Sequence, residues 1–163
     1  MRVLGIDPGT AIVGWAVVSG ERQNPVAEAY GAIRTPARLP AGARLAMIYR
    51  ELSELIDRMR PDRAAVEQLF FGHNAPTALS VGQARGVTLL ALAEAGIEPL
   101  ELTPAEVKEA VAGYGRAEKG QIQRMVTRLL GLPEPPRPDD VADALAVALA
   151  AYTHFRYREA IER

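Results

Sequence analysis

Arg2-Val3-Leu4-Gly5-Ile6-Asp7-Pro8-Gly9-Thr10 runs straight into Ala11-Ile12-Val13-Gly14-Trp15-Ala16-Val17-Val18-Ser19. These are two apolar stretches, and Pro8-Gly9 between them turns the chain. Side chains alternate along a strand, so Asp7 shares a face with Val3 and Gly5 while Leu4 and Ile6 point the other way. Gly5 is expected to leave open space beside the acid. A carboxylate on a core-forming strand is costly unless it is paired or bound to a cation. Read alone, Asp7 also fits the start of an Asp-Pro-Gly turn, and the rest of the chain has to decide.

Working outward, the second stretch is close enough to the first to form a hairpin across Pro8–Thr10. Val26–Thr35, between Pro25 and Pro36, is a third strand. The period then changes: Leu45, Ile48, Leu52, Leu55, Ile56 and Met59 recur at helical spacing and predict a helix from about Gly42 to Arg60. Ala64-Ala65-Val66 is a short strand ending in Glu67. Pro76 to Ala95 reads as a helix closed by Gly96, and Ile97–Leu102 as a fifth strand. Thr103-Pro104-Ala105-Glu106 is a capping box that starts a short helix. Ile122, Met125, Val126, Leu129 and Leu130 mark another, ended by Gly131 and the proline-rich Pro133–Pro138. A last helix runs from Asp139 or Asp140 to about Tyr152, with Asp139 the expected cap. Three strands in succession make an antiparallel meander, and strands reached through helices join parallel to a neighbour. The expectation is α/β: a five-stranded mixed sheet flanked by helices, the pattern of a ribonuclease H-like domain. If strand four lies beside strand one, Asp7 and Glu67 project from adjacent strands.

The 163 residues suit one domain over 1–163, in which residues 153–163 give no usable signal and are left as a flexible tail. A hydrophobic content of 48%, a charged content of 24% and a net charge of −1 point to neither nucleic acid nor membrane, so a DNA-binding face must come from segregated charge. Cysteine is absent, which excludes disulfides and thiolate metal sites and fits a cytoplasmic protein. A strand from residue 2 leaves no room for a signal peptide. The longest apolar run, Ala144–Tyr152, is too short to span a bilayer.

Asp140 and Asp143 are three apart at the start of the last helix and share a face. Acids there also suit the positive helix end without further role. The rest of that helix, however, is apolar nearly all round, so Asp143 is expected to have little solvent to face and no flanking base. Asp7, Glu67, Asp140 and Asp143 are then four acids on core-forming elements, which repel one another without a counter-ion. Oxygen ligands of this kind suit Mg²⁺ or Mn²⁺. Two such ions about 3.5–4 Å apart stabilise the attacking and leaving oxygens of an in-line phosphoryl displacement. Metal-dependent phosphodiester hydrolysis is the chemistry this set predicts.

Gly5-Ile6-Asp7-Pro8-Gly9, Glu67-Gln68, Gly82-Gln83-Ala84-Arg85-Gly86, Val107-Lys108, Ala117-Glu118-Lys119 and Asp140-Val141-Ala142-Asp143-Ala144-Leu145 occur in this order. The chain from residue 1 to about 152 thereby resembles the RuvC crossover-junction endodeoxyribonucleases. The resemblance implies a homodimer that resolves Holliday junctions by symmetric nicking of two like strands. It also implies Mg²⁺ dependence, 5′-phosphate products, work with the RuvA–RuvB branch-migration machine, and roles in recombination and DNA repair. Carried over by position, Asp7, Glu67, Asp140 and Asp143 would be the metal-binding acids. Lys119 matches the family's active-site lysine, and Lys108 a second base near the DNA. They are the only two lysines, and the plain alternative for each is a solvated surface charge.

Phe70 and Phe71 follow Glu67, and two adjacent rings on an extended segment cannot both enter the core. The family's residue matching Phe70 is a wedge stacking on bases, which suits stacking energies of about 1–3 kcal/mol. The alternative is a loop Phe folded under the sheet edge. His73 stands where relatives carry Lys or Arg, so a phosphate contact there would be pH-dependent. A metal role for it is not expected, with no second His near in sequence, and His154 reads as structural. Ala78, Gly82 and Gly86 form a small-residue stripe, for packing on the sheet or across a twofold axis. Arg116, Arg124 and Arg128 could add sequence-independent backbone contacts. Two other classes compete: an ATP-binding module of the actin and Hsp70 type, which also follows a strand with Asp-x-Gly-Thr, and a fold relative that binds junctions without cutting. The first needs two lobes and a second phosphate loop; the second would lack an acid.

Overall fold

The computed structural model describes residues 1–21, 24–68 and 75–162. In chain order these form β1 (Val3–Asp7), β2 (Ile12–Glu21), β3 (Asn24–Arg34), α1 (Ala41–Met59), β4 (Arg63–Glu67), α2 (Ala75–Glu94), β5 (Leu100–Leu102), α3 (Pro104–Ala112), α4 (Lys119–Leu129) and α5 (Asp139–Ile161). The sheet order is β3-β2-β1-β4-β5. The first three strands are an antiparallel meander, while β4 runs parallel to β1 and β5 parallel to β4. This is the five-stranded mixed sheet the strand order predicts. It sets the last residues of β1 and β4 side by side, with Ile6 opposite Val66.

The alternation in β1 decides which helices cover which face. Leu4 and Ile6 join Val13, Val17, Ile48, Leu52 and Leu92 in a core beneath α1 and α2. Val3 joins Val107, Val126, Leu145 and Tyr152 beneath α3, α4 and α5. Each fully buried Leu, Ile or Val contributes about 1.5–3 kcal/mol relative to exposure, so both faces resist a register slip. Asp7, on the Val3 side, therefore faces α5.

Glycine governs how close α5 comes. A Cβ on Gly5 would stand 2.4 Å from the Ala144 carbonyl oxygen, and one on Gly14 1.9 Å from that of Asp140. The space beside Asp7 is thus not open, as the sequence suggests, but filled by helix backbone. Farther along, the Tyr152 hydroxyl donates to the Gly20 carbonyl at 2.7 Å.

Three boundaries differ from the sequence reading. β5 begins only at Leu100, because the Ile97 amide is spent closing α2 on the Leu92 carbonyl and Pro99 has no N–H to give a ladder. α5 continues to Ile161 where a tail is expected from residue 153, its last turns held by Arg156 on the Gly20 carbonyl and by Arg63 over the Phe155 ring. Its N-cap is Pro138, without a side-chain cap, and Asp139 is already helical. The Thr103–Glu106 capping box forms as expected.

Candidate active site

Asp7 ends β1, Glu67 ends β4, and α5 delivers Asp140 and Asp143 from its first turns. Asp7, Glu67 and Asp143 line one cavity of about 260 Å³, together with Lys108 of α3 and Lys119 of α4. Asp140 lies beside it, on the flank formed by Pro138 and Asp139. Its charge is still felt by both Asp7 and Asp143. The far wall is apolar, with Val107, Ile122 and Val147. Low-polarity walls strengthen every charge interaction inside.

The electrostatics are those of a set of anions with too little compensation. Burial, and then repulsion from Asp143, Asp140 and Glu67, pushes the Asp7 carboxyl from its ordinary 3.8 up to about 7, against a smaller pull from Lys119. Glu67 is raised by burial and by Asp143, with Lys108 and Lys119 opposing. Asp143 is raised too, burial outweighing its pairing with Lys119. Among the described residues, no hydrogen bond or ion pair reaches the Asp7 or Glu67 carboxylates.

Lys119 leads α4 and places its Nζ 3.3 Å from an oxygen of Asp143 and 3.3 Å from one of Asp139. Desolvation works against the ammonium, but the two carboxylates outweigh it and hold its pKa above the usual lysine value. Asp143 therefore does have a basic partner, from another helix, and its side chain keeps 40% of its surface exposed. Both points depart from the sequence expectation, which weighed only neighbours in the chain. As the side chains stand, no three acids or histidines among the described residues converge closely enough to grip one ion. The donor chemistry nevertheless fits hard divalent cations: carboxylates only, partly desolvated, mutually repelling, and outnumbering the ammoniums beside them.

Other expected site residues fall in three groups. Lys108 reaches the cavity and lowers Glu67. Arg116 is exposed between α3 and α4, away from the acids' cavity. Phe70, Phe71 and His73 lie outside the described residues. His154 is exposed and meets the Phe155 ring edge-on, their centroids 5.7 Å apart, so it is no core histidine. Gly86 meets nothing within 4 Å, which removes the sheet as the reason for that glycine.

The chain matches the family model described as crossover junction endodeoxyribonuclease RuvC over residues 3–152. It is 58% identical to the crossover junction endodeoxyribonuclease RuvC of Moorella thermoacetica over 161 residues, covering 98% of this chain and 96% of the relative. The chain belongs to the RuvC family. Two solved structures of Thermus thermophilus RuvC, each 38% identical, superpose with TM-scores of 0.89 and 0.91. They cover 97% of this chain and 97% and 96% of their own. The second is a complex with a Holliday junction substrate. The yeast mitochondrial Holliday junction resolvase Ydc2, at 15% identity and a TM-score of 0.63, shares the ribonuclease H-like fold.

Within this RuvC-family site, three contributors escape a reading by residue type. Gly14 admits the Asp140 turn against β2. Arg85 of α2 donates to the Glu67 carbonyl at 2.7 Å and pairs with Glu101 at 2.8 Å, pinning the end of β4 to β5. Asp139 holds Lys119 from outside the acid set. Arg85 had a signal in its place within Gly82–Gly86, which gave no role, and Asp139 had one only as the expected cap, a role Pro138 takes.

Proposed function

We propose that this RuvC-family endonuclease resolves four-way DNA junctions by hydrolysing phosphodiesters, with divalent cations held by Asp7, Glu67, Asp140 and Asp143. The observation that carries the reading is the cavity that gathers Asp7, Glu67 and Asp143, with Asp140 on its flank. Crowding holds a proton on Asp7 up to about pH 7, and divalent cations relieve the same repulsion when they displace it. Mg²⁺ supplies a polarised water and neutralises phosphate charge when bound, Mn²⁺ being the expected substitute. Water oxygen adds to phosphorus, the bond to O3′ breaks, a water proton passes to O3′, and a 5′-phosphate and a 3′-hydroxyl remain.

The protein's own part is placement and charge. Two adjacent strand ends and a buried helix fix the backbone that carries the carboxylates, so a cation need only draw side chains together. Lys119 sits at the cavity mouth, where its ammonium can face charge building on the phosphate. Lys108 opposes Glu67 and offers the backbone a second cation. Phe70 or Phe71, next after Gln68 and Leu69, is the proposed base-stacking wedge, with His73 and Arg116 as backbone contacts.

A four-way junction has near-twofold symmetry, which supports a homodimer offering two equal sites. The exposed face of α2, with Leu79, Gly86 and Leu90, is its proposed surface. Family membership is what supports RuvA–RuvB as partners and the cytoplasm as the place of work. No helix of the described residues is long and apolar enough to cross a membrane. Against an ATP-binding module stands a family match spanning nearly the whole chain; against a non-cleaving relative stands the complete set of acids.

The test is paired nicking of a synthetic four-way junction in Mg²⁺, with a linear duplex of the same sequence as control. Asp7→Asn should abolish cleavage and spare binding. Normal cutting by that variant would overturn the site.

A further inference from the structure

Lys119 and Gln123 are one turn apart on α4 and face Asp139 and Asp143, one turn apart on α5. The contacts are specific. Gln123 Nε2 donates to Asp139 Oδ1 at 3.1 Å, leaving Oδ2 to Lys119 Nζ at 3.3 Å. The same Nζ lies 3.3 Å from Asp143 Oδ2. Asp143 lines the cavity with Asp7 and Glu67, whereas Asp139 is outside it, with 66% of its side chain exposed.

A lysine whose only partner was Asp143 would face a conflict. A cation taking the Asp143 oxygens would expel the ammonium, and an expelled lysine spreads over many rotamers. An ammonium that kept Asp143 would oppose the cation. A second carboxylate, aligned from α4 and remote from Asp7 and Glu67, removes that conflict: Lys119 gives up Asp143 and keeps one partner at the cavity mouth.

Resting on the metal-dependent reading above, we propose that Asp139 is a positioning residue that retains Lys119 beside the cavity when Asp143 turns to a cation. It touches neither metal nor phosphate. Its effect runs wholly through Lys119. Simple electrostatics predicts the opposite sign, since removing an acid next to the DNA path should favour phosphate binding and cutting.

The experiment pairs single-turnover nicking at saturating junction with a direct view of the lysine. Reductive methylation with ¹³C-formaldehyde labels the two lysines and the N-terminal amine, and the resonance lost in Lys119→Arg is that of Lys119. Asp139→Asn should cut more slowly by roughly two- to fivefold, the scale of an exposed ion pair, with junction affinity equal or tighter. In a Lys119→Ala background the same substitution should cost nothing further. Saturating Mg²⁺ should leave the wild-type Lys119 methyl signal distinct from that of a free lysine, and in Asp139→Asn should move it to the free position. Equal or faster cutting by Asp139→Asn, an undiminished loss without Lys119, or identical spectra would each overturn the proposal. Were wild type neither to nick junctions nor to change its spectrum with Mg²⁺, the metal-dependent reading itself would fail, and this inference with it.

Discussion

A proton on Asp7 links the site to the stability of the fold. The folded chain binds it up to about pH 7, whereas the unfolded aspartate has given it up above 3.8. Between these values the folded state carries more protons, so metal-free stability is greatest at the acid end and falls as pH rises. At about 1.4 kcal/mol per unit, the upper bound on this loss is roughly 4 kcal/mol. Glu67 and Asp143, also raised, add in the same sense. Urea unfolding in a chelator should therefore show the wild type losing stability from pH 5 to 8, and Asp7→Asn showing a flatter profile and higher stability at pH 8. Mg²⁺ at pH 8 should stabilise the wild type far more than the variant. A wild type that gained stability over this range would contradict the electrostatics. Asp7 was legible because a carboxylate ending an apolar run is anomalous on its own strand. The partner of Asp143 was not, since Lys119 lies 24 residues away in sequence and meets it only when α4 packs on α5.

Placement of the acids belongs to whole elements, and α5 is the one that carries two of them. Val141–Tyr152 is buried except at Asp143, so the helix has a single seat, against β1 and β2. The order of strands and helices could be read in advance, because the period changes from 2 to 3.6 at α1 and α4, and caps, glycines and prolines bound the rest. What periodicity does not encode is the distance between layers. That distance depends on Gly5 and Gly14, where a methyl group would enter the α5 backbone rather than a yielding side chain. Overpacking of this kind costs about 1–3 kcal/mol or more. Gly14→Ala should accordingly lower the melting temperature and also weaken Mn²⁺ binding measured by calorimetry, since the displaced atom is the Asp140 carbonyl itself. Lost stability with undiminished Mn²⁺ affinity would separate the α5 seat from the site. The run of α5 past Tyr152 was illegible for a related reason: Thr153, His154, Tyr157 and Arg158 are exposed, and among the described residues Phe155 and Arg156 tie it to the strands.

At the scale of the molecule, the two faces of the sheet divide the labour. The acids' side is closed by α3, α4 and α5, while α2 covers the opposite side and leaves Leu79 and Leu90 66% and 52% exposed. With Gly86 between them, these residues recur at helical spacing on one outward stripe, and Gly86 has open space around it. Glycine inside a helix costs up to about 1 kcal/mol relative to alanine, and among the described residues nothing offsets that here. A second copy related by a twofold axis would present the same stripe, and Gly86 would let the two backbones approach closely. Leu90→Glu places like charges across that axis without touching the core beneath α2. It should sediment as a monomer at concentrations where the wild type is expected to sediment as a dimer, and keep its thermal stability when both are measured dilute. On a four-way junction carrying distinct labels on its two cleavable strands, the wild type should nick both within one binding event. The monomeric variant should release junctions nicked once, since each site then acts alone. A monomer that still cuts in pairs would remove α2 as the axis and with it the argument from Gly86.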